Sequence, residues 1–142
     1  DKITCTPRLG TSNLYSDDVF ERKVPVICGS NLFYYFQDKC YAHCFSIIPM
    51  DLDFILEYDL MNSKQAENFI TKEIYEYAKI VKIEIKIIED EDVLINDNFD
   101  VDTKLFVLVI EKMLDNKGQV ICLNKYHIPV QYANIKVNAL KK

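Results

Sequence analysis

The sequence predicts one α+β domain: a single long helix packed on an antiparallel β-meander, with a cysteine-bearing N-terminal extension. Three observations predict it. Residues 51–60 alternate apolar and acidic side chains, residues 62–79 carry an apolar stripe at helical spacing, and the chain from Val81 returns to period two. A length of 142 residues, 49% hydrophobic and 27% charged, suits one globular domain.

In the first element, Leu52, Phe54, Leu56, Tyr58 and Leu60 alternate with Asp51, Asp53, Glu57 and Asp59, the pattern of a half-buried strand. Asn62 and Gln65 supply a capping-box-like helix start. Ala66, Phe69, Ile70, Ile74, Tyr77 and Ala78 then fall on one stripe, carrying the helix to about Lys79. Val81, Ile83, Ile85 and Ile87 alternate with Lys82, Glu84 and Lys86 in a strand with one wet face. An acidic connection runs from Glu89 to Asp102. A strand over 104–112 is apolar on both faces, and the turn Asp115-Asn116-Lys117-Gly118 folds it onto a strand near 119–127. A last strand with Ile135 and Val137 inward follows Pro129. The expected division is an extension over 1–50 and a core over 51–142. One helix covers one side of a sheet, so the aromatic run Phe33, Tyr34, Tyr35, Phe36 and Tyr41 is the candidate cover for the other.

Charge and glycine content exclude several functions. The net charge of −5 divides into −4 over 1–62 (5 Lys/Arg against 9 Asp/Glu) and −1 over 63–142 (12 against 13), with no basic face for nucleic acid or anionic membranes. No apolar run reaches the roughly 18 residues of a membrane span. Three glycines cannot build a phosphate-cradling loop, so nucleotide binding by such loops is excluded and no cofactor is expected. Fifteen Lys against two Arg, with 17 Ile, suggest an AT-rich genome.

Four of the five cysteines, Cys5, Cys28, Cys40 and Cys44, crowd the first 44 residues. They are disulfide candidates in any of three pairings, and Cys122 is the expected free, buried thiol. Cys40-Tyr-Ala-His-Cys44 lacks the spacing and second ligand pair of a zinc site, so no metal is assigned. Asn96, Asn98, Asp100 and Asp102 alternate like calcium ligands but lack the glycine and bidentate glutamate of an EF-hand. Cys122 and His127 sit five residues apart on a strand, facing opposite ways and roughly 16 Å apart, too far for a nucleophile and its base. No catalytic constellation emerges, and no enzyme activity is expected.

The order strand, helix, four-strand meander resembles the cystatin family. Tyr126-His127-Ile128-Pro129-Val130-Gln131 is similar to its second binding loop, with Pro129 and Val130 in the place of a Pro-Trp pair. The resemblance spans residues 51–138 and implies a cystatin-like roll whose binding residues are Val93, His127, Pro129 and Val130. The inhibitory first loop is absent: its nearest window, Glu91-Asp92-Val93-Leu94-Ile95, keeps only the valine. Together with the cysteines this implies a secreted, non-enzymatic domain that binds another protein. Two further readings are a cysteine-protease inhibitor with an atypical first loop, and an intracellular subunit of a larger complex with reduced thiols.

Overall fold

A computed structural model describes residues 2–90, 98–99 and 104–133. Six antiparallel strands form one sheet: β1 (Lys2–Thr11), β2 (Val26–Phe36), β3 (Lys39–Pro49), β4 (Ile80–Glu89), β5 (Leu105–Leu114) and β6 (Val120–Pro129), in the order β1-β2-β3-β6-β5-β4. Helix α1 (Leu14–Phe20) joins β1 to β2. Between β3 and β4 lie a 3-10 turn (Asp53–Glu57) and a helix in three parts: α2 (Ser63–Asn68), a π-helical turn (Phe69–Glu73) and α3 (Ile74–Tyr77).

The helix and the strands from β4 onward match the sequence pattern, but the expected architecture does not. The N-terminal third is no extension: it supplies three of the six strands, with β3 next to β6 at the centre of the sheet. One long helix on a meander is therefore corrected to a mainly β fold with short helical segments. These strands were hidden because β3 is buried on both sides of a continuous sheet, while β2 interleaves its buried Cys28, Ser30 and Leu32 with half-buried residues, so neither shows a simple apolar–polar alternation in sequence. Two-residue turn chemistry joins them, since Gln37 and Asp38 both have positive φ, at 50° and 63°.

The alternating run 51–60 is not a strand either. Leu52, Ile55 and Leu60 are buried while Leu56 is 88% exposed, a pattern set by the 3-10 turn. Acidic residues are poor strand formers, and four stand in that run of ten. Asp51 instead pairs with Arg22 at 2.6 Å. The expected final strand at Ile135 and Val137, and the acidic connection around Val93, lie outside the described residues.

Side-chain parity divides the sheet into two faces. The helix 63–77 lies across one of them, where Ala66, Phe69, Ile70 and Ile74 pack on Cys5, Cys28, Leu32, Cys44, Ile48, Met113 and Cys122. Asn62 caps its start, accepting from the amides of Lys64 (3.1 Å) and Gln65 (3.0 Å). The opposite face is covered at one end by Phe20 and Val24 against Ile47, Leu114 and Val120. At its other end Cys40 packs with Phe99 and Phe106. Phe33 and Tyr35 join that second cluster, whereas Tyr34 turns to the helix side.

All five cysteines are buried and none is joined in a disulfide, which corrects the expected bridges. Cys5 and Cys44 both stand opposite Leu32, on either side of it, so two strand spacings of roughly 4.8 Å separate them, beyond bridging distance. Cys28 is opposite Leu9 and Ile48, four positions before Leu32 in β2. Cys40 is turned to the other face by a bulge at Tyr34/Tyr35, which leaves Tyr41 without a partner in the register.

Candidate functional site

The helix does not seal against the whole sheet. Where α2 approaches β1 and β2, a cleft of about 520 Å³ remains, lined by Lys2, Ile3, Tyr34, Tyr41, Lys64 and Glu67. That volume is in the range of small-molecule sites. Lys64 and Glu67, one helical turn apart, pair at 3.4 Å on its helical wall. Tyr34 and Tyr41 form its aromatic wall, with ring centroids 6.1 Å apart.

Behind Tyr34 the cleft meets a buried polar network. The Tyr126 ring lies 6.4 Å from Tyr34 and its hydroxyl reaches Glu111 Oε1 at 3.4 Å. Glu111, buried on β5, also accepts from Tyr75 Oη at 2.9 and 3.0 Å and from Asn124 Nδ2 at 2.9 Å. Asn124 Oδ1 in turn accepts from Cys122 Sγ at 3.4 Å, and Ser46 Oγ lies 3.6 Å from that sulfur. The carboxylate is thus held by hydroxyls and an amide, with no Lys or Arg among these contacts. A buried carboxyl group hydrogen-bonded in this way fixes the orientation of every group around it.

Burial dominates the titration of these groups. It raises the Tyr34, Tyr75 and Tyr126 hydroxyls well above the ordinary tyrosine range, with the neighbouring Glu111 adding to the effect at Tyr75. It pushes the Cys5 thiol up to about 11, Cys122 up to about 12 and Cys44 well above its usual value. These thiols stay protonated at neutral pH and are poor nucleophiles.

The sequence-predicted binding residues do not gather here. His127 is on the opposite face, its Nε2 3.4 Å from Asp90 and its ring 5.6 Å from His43, whose Nε2 lies 2.7 Å from Asn31 Oδ1. Pro129 ends β6 opposite Phe106, and Val130 follows it with its amide donating to Leu105 O at 3.2 Å. Val93 lies outside the described residues. Cys122 faces the helix side, away from His127. Among the described residues no group of three or more His, Cys, Asp or Glu is placed to hold a metal. No described helix is long and apolar enough to cross a membrane. Glu111, Tyr75 and Asn124 escaped the sequence reading. Glu111 alone carried a signal, as the single acid within the apolar run 105–110 and its continuation to Leu114.

No family model and no curated protein matches the sequence. Solved structures do. A GntR-family transcriptional regulator from Enterococcus faecalis V583 superposes with a TM-score of 0.76 at 10% identity, over 97% of this chain and 100% of that one. The C-terminal domain of the histidine utilization repressor from Pseudomonas syringae pv. tomato gives 0.77 at 10% identity, over 99% and 100%. A structure described as the ligand-binding domain of a GntR-family regulator from Bordetella bronchiseptica gives 0.70 at 9% identity, over 99% and 92%. These likenesses overturn the cystatin resemblance, which rested on element order over 51–138 and a six-residue run. The secreted role and the extracellular location lose their ground with the disulfides, and the neighbours are gene regulators. At such identities the likeness is one of fold: this chain has the fold of the C-terminal domains of GntR-family regulators.

Proposed function

We propose that this chain is a small-molecule-sensing domain of an intracellular gene regulator, and not an enzyme. The observation that carries the reading is the cleft between α2 and the sheet, backed by the buried Glu111 network. Its geometry couples a ligand to the fold. A molecule lying against Tyr34 touches the group that packs on Tyr126, and through Tyr126, Glu111 and Tyr75 it reaches the far end of the helix. Lys2 and Lys64 at the rim favour a ligand with an anionic group, and Tyr34 and Tyr41 offer hydroxyls and ring faces to its body. The likeness to the Bordetella ligand-binding domain and to the Enterococcus regulator supports the same reading.

The alternative of a subunit in a larger assembly with reduced thiols is contained in this proposal. A net charge of −5 leaves DNA contact to another part of such a regulator. Residues 1–50 and 51–142 act in it as one unit, because the cleft takes side chains from both.

A thermal-shift panel of sugar phosphates, small carboxylates and amino acids tests the reading. At least one compound is expected to stabilise the chain, by about 2.7 kcal/mol at a hundredfold excess over its Kd. Ile3→Trp, which fills the cleft, should abolish that shift while leaving the unliganded melting curve close to the original. No binder in the panel, or a shift that survives Ile3→Trp, overturns the proposal.

A further inference from the structure

The helix between β3 and β4 is one residue too long for its own faces. Ala66 and Ile74, eight positions apart, are both fully buried in the core. Glu67 and Tyr75, also eight apart, both serve the cleft, Glu67 on its wall and Tyr75 on the Glu111 network behind it. At about 100° per residue, eight positions of unbroken α-helix would set such pairs about 80° apart, whereas seven would leave them within about 20°. The π-helical turn Phe69–Glu73 absorbs the surplus. There the Ile74 amide donates to the Phe69 carbonyl five residues back, and Thr71 Oγ1 donates to the Glu67 carbonyl at 2.7 Å. Lys72 is the one exposed residue of the five. Without the wide turn, Glu73 would take the place of Ile74 in the apolar core, and Ile74 that of Tyr75 beside Glu111. An acid without partners in the core is costly, so the side chains themselves select the π register.

We infer that Tyr75 is a positioning residue of the cleft, brought onto Glu111 by the π-helical turn, and that Lys72 is the surplus residue of that turn. Tyr75 acts through other side chains. Its hydroxyl shares the Glu111 carboxyl group with Asn124, the Tyr126 hydroxyl reaches the same oxygen, and the Tyr126 ring packs 6.4 Å from Tyr34 on the cleft wall. After burial and Cys44, Tyr75 is the next cause that raises the hydroxyls of both Tyr34 and Tyr126, which places it near both. One helix thus supplies the outer wall of the cleft from α2 and the support of its inner wall from α3, and the π turn sets the two in phase. The role rests on the reading of the cleft as a binding site, whereas the register and the contacts belong to the chain without ligand.

Two variants of the full chain, carrying carbon-13-labelled tyrosine and studied without ligand, test both halves. Tyr75→Phe keeps the ring and removes the hydroxyl. It should move the ring signals of Tyr34 and Tyr126 and leave that of Tyr58, which pairs with Tyr77 elsewhere on the helix. Deletion of Lys72 should convert the π turn to α-helix with both faces kept. Its Tyr34 and Tyr126 signals should stay in place, and its urea midpoint should match or exceed that of the original chain. Tyr34 and Tyr126 signals indifferent to Tyr75→Phe overturn the positioning role. A Lys72 deletion that moves those signals, lowers the midpoint or fails to fold overturns the register. Neither readout uses a ligand, so a cleft that binds nothing and a Tyr75 that positions nothing give different results.

Discussion

β3 and β4 are both long, apolar-rich strands of one sheet, yet they live in different environments. Eight of the eleven residues of β3 are buried, whereas β4 is exposed along almost its whole length. The difference lies in position and not in composition. β3 sits between β2 and β6, under the helix on one side and α1 or Phe99 on the other. Among the described strands β4 pairs with β5 alone. An isoleucine therefore contributes to stability through its place in the sheet order, and the same residue at the edge contributes little.

The largest contrast should come from Ile48, 1% exposed on β3 and in the helix-side core. Ile48→Ala removes methyl groups that neighbours cannot replace, so unfolding in urea should show a loss of about 2–5 kcal/mol. A loss below that of an exposed isoleucine would mean that the centre of the sheet is less tightly packed than the burial implies.

Alkaline pH probes the same interior through Cys122. Its folded thiol is raised to about 12, so the unfolded chain ionises first and stability falls as pH climbs from about 9 towards 12. The slope for this one thiol approaches about 1.4 kcal/mol per pH unit, a loss on the order of 2 kcal/mol between pH 9 and 11. Cys122→Ala should flatten the urea midpoint against pH by that amount relative to the original chain. Equal slopes in the two proteins would place the thiol in contact with water.

Glu111 tests the polar seam between helix and sheet. Glu111→Ala leaves the Tyr75 hydroxyl and Asn124 amide without their shared acceptor, at a cost of about 1–3 kcal/mol. A ligand held in the cleft through Tyr34 and Tyr126 should also stabilise this variant less than the original.

Part of this arrangement was legible from residue order alone. The helix stripe Ala66, Phe69, Ile70 and Ile74 is buried as its spacing predicts, because one amphipathic element over one surface writes its own period. β4 was readable from the alternation of Val81, Ile83, Ile85 and Ile87 with Lys82, Glu84 and Lys86, β5 from its continuous apolar run and β6 from the turn that precedes it. β1–β3 were not: β1 buries only Cys5 and Pro7, β3 is covered on both faces and loses alternation, and the bulge at Tyr34/Tyr35 breaks parity within the hairpin. The run 51–60 misled in the opposite sense, where alternation arose in a 3-10 turn. Cysteine clustering pointed to an oxidised protein, but pairing depends on register, and register puts Leu32 between Cys5 and Cys44. The candidate site was the least legible part: it joins Lys2, Tyr34, Tyr41, Lys64 and Glu111, which only the sheet order and the helix crossing bring near one another.

The smallest effect belongs to Ile83, 61% exposed on β4, and it also separates edge from centre most sharply. Ile83→Ala removes a side chain that is mostly in water. Only the strand preference of a β-branched residue is then lost, no more than about 1 kcal/mol. Urea unfolding of the two single variants, Ile83→Ala and Ile48→Ala, reads the difference directly. A loss at Ile83 as large as that at Ile48 would mean that position in the sheet does not set what an isoleucine contributes; a loss near zero leaves the edge residue contributing little more than its preference for extended backbone.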